Sequence, residues 1–395
     1  MRIFFITTKI NFTTAGGSVP DLDQKARILG ELGNEVTVIT AFSNANSGHE
    51  NVPYRVIEEQ IPARDLLGIQ RGILKILRRY ENDADIFYID GQVFLYGAGW
   101  YRLTGGRTPV VAFFNRELVC WPENISIFTE RLSLLARCKK RLRAWLERRI
   151  GMPIASKIDL LTFTSPMLEK AYTDFGLRKD PRAFFQADLI DCRRIMLEQG
   201  LDEQSYRRRN KRQGPMTLIF SGRMVAGKGF DIFLDAFAEV CGRGDYRLIL
   251  SGGGQDSEVI KAYAQKLGVA DRVTFPGWVS KDELLKMFHQ ADIFVLPKWR
   301  KELTSVILLE VMALGLPSIV PTGSGQAWVG GPASLTFENS DSHLLAAAIL
   351  RLANDYDLRA ALSAACFERL KELDPRVIAG QLEKLLKETV ASRAS

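Results

Sequence analysis

Histidine is scarce in this chain of 395 residues, with only His49, His289 and His343, and the five cysteines, Cys120, Cys138, Cys192, Cys241 and Cys366, are scattered without a C-x-x-C pair. Zinc sites and disulfide frameworks need such residues clustered, so neither is expected, and separated thiols in odd number fit a reducing cytoplasm. No apolar run approaches the roughly 18–20 residues that cross a bilayer. The opening stretch from Met1 to Ile10 is apolar but passes at once into Asn11, Thr13 and Gly16, without a basic lead or a small-residue cleavage site, so a secretory signal is not expected. Short-period repeats and low-complexity tracts are missing as well. A net charge of +7 is mild for this length, and the field of the whole molecule says little about its partners.

What the chain does contain is alternation. A length of 395 residues exceeds what one core usually organises and suggests two domains. Apolar, β-branched runs alternate with amphipathic stretches of helical length, the pattern of parallel sheets covered on both faces, so the fold class is α/β. In the first half, strands are expected near Arg2–Thr8, Glu35–Ala41, Asp85–Ile89, Pro109–Phe114 and Ile158–Thr164, with helices such as Leu22–Leu32 and Ile69–Tyr80 between them. A basic segment carrying Arg207, Arg208, Arg209, Lys211 and Arg212 then interrupts the pattern. The alternation restarts with strands at Thr217–Ser221, Arg247–Ser251, Arg272–Phe275, Asp292–Leu296 and Ser318–Val320, and helices at Phe230–Cys241, Ser257–Leu267 and Lys281–Gln290. The expected organisation is a Rossmann-like domain over 1–200, a basic linker over 201–215, a second Rossmann-like domain over 216–375, and a final helix over 376–395 that returns to the first domain.

Open α/β sheets bind ligands beyond the carboxyl ends of their strands. The loop after the first strand is Ala15-Gly16-Gly17-Ser18, where paired glycines allow either a tight turn or the close approach of backbone to a ligand. The loop from Gly222 to Gly229 leads from a strand into a helix and carries Arg223 and Lys228, so helix amides and two cations would converge on an anion such as a diphosphate. The same residues nearly match the P-loop G-x-x-x-x-G-K-[ST], except that Gly229 stands where a Mg²⁺-binding hydroxyl belongs. Further on, Thr304 or Ser305 can cap a helix that is apolar on every face apart from Glu310. A buried carboxylate must meet a cation or ligand hydroxyls, so Glu310 is either a ligand-binding residue or half of a structural ion pair. Glu302 precedes that helix and is either a site residue or a charge complementing the helix dipole. Asp21-Leu22-Asp23 and Asp83-Ala84-Asp85 look like the D-x-D pairs that hold metals in some glycosyltransferases, but the first suits a helix start and the second a strand lead-in, and no metal site is assigned.

The stretches F-S-G-R-M-V-A-G-K-G-F, L-I-L-S-G-G-G, R-V-T-F-P-G-W-V, A-D-I-F-V-L-P and E-L-T-S-V-I-L-L-E together resemble glycosyltransferase family 4, over nearly the whole chain. The resemblance implies a GT-B architecture, two Rossmann-like domains facing across a cleft, and a metal-independent, retaining enzyme. Such an enzyme moves a sugar from a nucleoside-diphosphate sugar to an acceptor hydroxyl in the synthesis of cell-surface polysaccharide, lipopolysaccharide or glycolipid. It implies that Arg223 and Lys228 hold the diphosphate, Glu310 the ribose and Glu302 the transferred sugar. Backbone at Thr304, Ser305 and Val306 would cradle phosphate and sugar, Trp278 and Val279 would border the base, and the first domain, with Gly17 at its mouth, would receive the acceptor. Leu303 and Thr304 depart from the small residue and aromatic usual in the family, and Asn115 replaces a frequent histidine. Asn115 can hydrogen-bond a sugar hydroxyl but cannot titrate near neutrality. No cofactor beyond the donor substrate is implied. The rival readings are a sugar-nucleotide epimerase or phosphorylase on the same architecture and a non-catalytic nucleotide-sugar-binding partner in a membrane assembly.

Between Arg131 and Arg149, Leu135, Cys138, Leu142, Trp145 and Leu146 recur at helical spacing among Arg137, Lys139, Lys140, Arg141, Arg143 and Arg148. Such a helix either lies on an anionic membrane, possible for an enzyme with lipid-linked acceptors, or packs its apolar stripe on the sheet with its cations in solvent. Nucleic acid is not expected as a partner, since no recognised binding motif accompanies the basic patch. The expected location is the cytoplasm, with the inner face of the cytoplasmic membrane as the alternative.

Overall fold

A computed structural model describes residues 1–12, 18–116, 133–207, 214–225, 227–297 and 304–394. Gly17, Glu302, Leu303 and positions 208–213 of the basic segment lie outside the described residues. The chain folds as two compact units, dividing at Ile190/Asp191 and again at Glu372/Leu373.

The first unit is built on β1 (Arg2–Thr7), β2 (Glu35–Thr40), β3 (Arg55–Glu58), β4 (Ile86–Asp90), β5 (Val110–Phe114), β6 (Leu160–Phe163) and β7 (Phe184–Phe185). They form one sheet in the order β3-β2-β1-β4-β5-β6-β7, every pair parallel. All of β4, β5 and β6 is buried, as a parallel strand covered on both faces requires. The second unit repeats the plan with β8 (Met216–Ser221), β9 (Tyr246–Ser251), β10 (Val273–Gly277), β11 (Ile293–Val295), β12 (Ser318–Pro321) and β13 (Ser334–Phe337), in the order β10-β9-β8-β11-β12-β13 and again all parallel. Both orders reverse direction beside their first strand, between β1 and β4 and between β8 and β11. Crossovers on either side of such a point diverge, and the crevice left at the strand carboxyl ends is where this architecture binds ligands.

One departure from the sequence reading has a physical cause. The second unit begins at Asp191, ahead of the expected linker, and part of that linker is packed structure: Tyr206, on the short helix Glu203–Arg207, is buried, its ring lies 5.5 Å from that of Phe367, and its hydroxyl donates to the Ala313 carbonyl. The final helix, Pro375–Ala394, belongs to the first unit. Its Leu382 and Leu386 are fully buried in one core with Ile3, Phe5, Leu22 and Leu29, and Glu383 accepts a 2.8 Å bond from the Asn34 amide.

Candidate active site

The loops that follow β8, β9 and β10 are stitched to one another by backbone. Gly252 N–H donates to the Gly277 carbonyl at 2.8 Å, Met224 N–H to Gly253 at 3.0 Å, and Asp256 N–H to Met224 at 3.1 Å. This holds the backbone on both sides of Arg223 and leaves its side chain exposed. A β-carbon at Gly252 would collide with the Gly222 carbonyl, so the close approach of these two loops needs glycine. Trp278 is 65% exposed beyond the end of β10, with Gly253 against its indole nitrogen, and Val279 beside it is half-buried.

Lys228 is half-buried just ahead of the helix Phe230–Cys241. Gly229 occupies the cap position of that helix in the left-handed region, at φ 76°. A β-carbon there would collide with the carbonyl oxygen of Pro297, which follows β11. A serine or threonine, which a P-loop needs at this position, has neither the backbone conformation nor the space.

The helix after β11 runs Val306–Ala313, and Leu308, Leu309, Val311, Met312 and Ala313 are buried. Ser305 stands at its cap position, but its hydroxyl makes no capping bond, in contrast to the sequence expectation. Thr304, Ser305 and Val306 are half-buried. Glu310, 13% exposed, is ion-paired with Lys281, which opens the helix Lys281–Gln290 three residues after Trp278. Lys281 is thus a cation at this edge that the sequence reading missed.

In the first unit, Asn115 follows β5 and lines a pocket at the reversal of strand order, together with Thr7, Thr8 and Lys9 after β1 and Asp90, Gly91 and Gln92 after β4. Asp90 is buried, at 8% exposure. Its Oδ2 accepts a 3.2 Å bond from the Thr7 hydroxyl. Beneath it Lys25 is fully buried, donating to Asp21 at 3.2 Å with its ammonium 4.0 Å from the centre of the Phe113 ring. Burial works against the Lys25 charge, yet Asp21, Tyr88 and Asp90 raise its pKa above the ordinary value. Burial pushes the Asp90 carboxyl up to about 6, against the opposing pull of Lys25. Sequence reasoning passed over both residues, although each carries a signal: Lys25 shares a helical face with Leu22, Ala26 and Leu29, and Asp90 closes an otherwise apolar strand just before a glycine.

Both D-x-D pairs are engaged structurally. Asp21 also accepts from Leu189 N–H, Asp23 pairs with Arg27 and Tyr54, and Asp85 holds the backbone and guanidinium of Arg2. The basic helix runs Leu134–Leu146 with no buried residue. Its stripe therefore does not pack on the sheet: Leu134, Leu135, Leu142 and Trp145 are each more than half exposed. Among the described residues no helix is long and apolar enough to cross a membrane.

Two parallel Rossmann-like sheets, with their loops gathered at the strand carboxyl ends, define the GT-B class, and the fold implied by the family resemblance is borne out. Residues 202–369 match the family model for glycosyl transferases group 1, and the resemblance read from the sequence is borne out over that stretch. It is 24% identical over 341 residues to mannosylfructose-phosphate synthase of Agrobacterium fabrum, covering 78% of this chain and 72% of that protein. Relatives matched at 30% identity align over less than half of their own length. Sucrose-phosphate synthase from Thermosynechococcus elongatus superposes with a TM-score of 0.73 at 20% identity over 99% of both chains. Anabaena HepE, solved in complex with UDP, superposes with a TM-score of 0.70 at 18% identity, over 98% of this chain and 100% of that one.

Two predictions follow from this geometry. Gly229→Ser, which completes the P-loop pattern on paper, should cost about 2–4 kcal/mol by backbone strain and collision and confer no Mg²⁺-dependent ATP hydrolysis; a variant as stable as the parent in urea unfolding, or one that hydrolyses ATP, contradicts this. The Asp90 carboxyl is raised from the ordinary 3.8 to about 6, so between these values the folded state holds more protons than the unfolded chain. The stability this group contributes is complete below about pH 4 and is lost as pH rises through about 6. Asp90→Asn should therefore raise the melting temperature over wild type at pH 7.5, by the equivalent of about 3 kcal/mol, with the gain shrinking toward pH 4.5. Equal gains at both pH values would contradict the raised pKa.

Proposed function

We propose that the protein is a retaining glycosyltransferase that moves a sugar from a nucleoside-diphosphate sugar to an acceptor hydroxyl, without a metal or a further cofactor, in the assembly of surface polysaccharide, lipopolysaccharide or glycolipid. The observation that carries this reading is the loop from Gly222 to Gly229, in which Arg223 and Lys228 flank a backbone held against its neighbours at the strand reversal of the second sheet. Two cations and a helix N-terminus suit a diphosphate. A protein of the same fold was solved in complex with UDP, which is in keeping with a nucleoside diphosphate as ligand.

In this reading Arg223 and Lys228 hold the diphosphate and Glu310 takes the ribose hydroxyls, exchanging its bond to Lys281 for ligand contacts. Glu302 contacts the transferred sugar, backbone at Thr304, Ser305 and Val306 receives phosphate and sugar, and Trp278 with Val279 borders the base. Gly17 and Asn115 serve the acceptor side, and the domains divide the work in the order the sequence suggests, acceptor first and donor second. The bond from the anomeric carbon to the diphosphate oxygen breaks, the acceptor oxygen bonds on the same face, and its proton passes to a donor phosphate oxygen. Arg223 and Lys228 then meet a charge that grows toward the transition state, the setting in which fixed cations accelerate most.

Transfer should survive EDTA, the product should keep the donor's anomeric configuration by NMR, and Arg223→Ala and Lys228→Ala should each lose about 10²–10³ in kcat with little change in acceptor KM. Donor binding without transfer or donor hydrolysis would favour the non-catalytic alternative, and an inverted product would overturn the mechanism.

We further propose that the helix Leu134–Leu146 docks on an anionic membrane at the cytoplasmic face. Its exposed Leu134, Leu135, Leu142 and Trp145 lie on a helix that also exposes Arg137, Lys139 and Arg141, a combination suited to the interface between lipid headgroups and acyl chains. Wild-type protein should sediment with phosphatidylserine-containing vesicles at low salt and be released as salt rises. Replacing Arg137, Lys139, Arg141 and Arg148 with Gln should abolish sedimentation; Arg143 is left in place because it pairs with buried Glu147. Binding that ignores both salt and these changes would refute the docking.

A further inference from the structure

The pocket at the strand reversal of the first unit has a volume of about 90 Å³, room for several water-sized groups. Two residues that line it each carry a buried oxygen that makes no hydrogen bond with any described residue: Oδ1 of Asp90 and Oδ1 of Asn115. Both are built to accept. The other Asp90 oxygen is already held by Thr7, which fixes the carboxylate and leaves Oδ1 as its unused oxygen. Gly91 stands between the two residues with its open face toward the Asn115 side chain, so no intervening side chain separates them. The cations lining the same pocket, Lys9 and Arg116, are exposed, whereas the two oxygens are buried.

A buried acceptor without a partner costs about 1–3 kcal/mol, and more when charged, so the pair calls for a ligand that brings donors. A phosphate has only acceptor oxygens near neutrality and would face the Asp90 carboxylate across a low-dielectric pocket. A sugar hydroxyl donates one hydrogen bond, and neighbouring ring hydroxyls donate two from a spacing a small pocket can span.

We infer that Asp90 and Asn115 bind the acceptor as a pair, each oxygen taking a hydrogen bond from a hydroxyl of an unphosphorylated sugar ring, and that Asp90 is the residue selecting a neutral polyol end over a sugar phosphate. This rests on the glycosyltransferase reading for the role of the sugar as acceptor, though not for its binding. Asp90 is a binding residue here, and its raised pKa follows from the same burial that isolates Oδ1. The charged and titratable groups facing it are Lys25 and Asp21 from the helix below, Tyr88 on its own strand and Arg116 beyond β5.

The test is saturation-transfer NMR on the full chain with D-glucose, D-mannose, D-galactose and L-rhamnose as methyl glycosides, alongside the 6-phosphates of the first three sugars. At least one neutral glycoside should bind, and Asp90→Asn should weaken it by about tenfold or more, as loss of a hydrogen bond to a charged acceptor does. Asn115→Ala, at a half-buried position, gives a second, independent readout, with melting curves as the control for both variants. No binding of any neutral glycoside, stronger binding of the 6-phosphates, or binding unchanged in the folded variants would overturn the inference. Thermal shifts with UDP- and GDP-sugars are read separately: their absence beside intact glycoside binding defeats the donor reading alone, and their presence beside absent glycoside binding defeats this one alone.

Discussion

At Gly229 and Pro297 the second unit brings backbone against backbone, at the place where the strand order of its sheet reverses. The loop after β8 can enter its helix there only if nothing projects from the cap residue, and only if that residue accepts a left-handed φ. Both demands fall on one glycine. The consequence reaches Lys228, whose backbone is anchored on its C-terminal side by this contact, and the helix Phe230–Cys241, which starts without a side-chain cap and draws its stability from the burial of eight of its twelve residues. The near-match to a P-loop is thus explained and dissolved together: glycines recur where backbone must approach backbone or a phosphate, and it is the missing hydroxyl that separates the two cases.

The first unit has the same strand order and a different edge. Where the second sheet ends in glycine loops carrying cations, the first ends in Asp90 and Asn115 over a buried ammonium. Lys25 in a core would be costly by itself; Asp21 at 3.2 Å and the Phe113 ring supply its compensation. A carboxylate is then held above the ammonium rather than in ion-pair contact with it, since the 3.2 Å bond goes to Asp21. Leucine at position 25 alone would leave the buried Asp21 carboxylate without its cation, at a cost of about 3–5 kcal/mol, so the ammonium supports the edge above it.

Long elements with strong periodicity were legible in the sequence. The helices Phe230–Cys241 and Lys281–Gln290 fall where their spacing puts them, the second because Ser280 and Glu283 form a capping box that fixes its start. Three edge strands, β3, β7 and β13, were not anticipated: each is at most four residues long and only partly buried, so none shows the continuous apolar run that marks an interior strand. Arg223, Lys228 and Glu310, proposed here for the donor side, could be singled out because glycine punctuation and one charge in an apolar helix stand out locally. Lys281 could not, because its pairing with Glu310 joins two helices far apart in sequence. Asp90 and Lys25 needed the sheet order before their burial carried meaning, since only the reversal between β1 and β4 brings the end of one strand to the ends of its neighbours.

Duplicating one strand order gives two crevices of the same shape, and chemistry then distinguishes them. A diphosphate leaves with growing negative charge, and fixed cations and amides stabilise it without reorganising. An acceptor hydroxyl begins neutral and must shed a proton, so the group that holds it should be an oxygen acceptor rather than a cation. In the proposed transfer, Arg223 and Lys228 after the strands of the second sheet and Asp90 with Asn115 after those of the first would meet these opposite requirements. Exchanging the two sets would oppose both halves of the reaction: a carboxylate would repel the leaving diphosphate, and a buried cation would compete with the nucleophilic oxygen for its lone pairs.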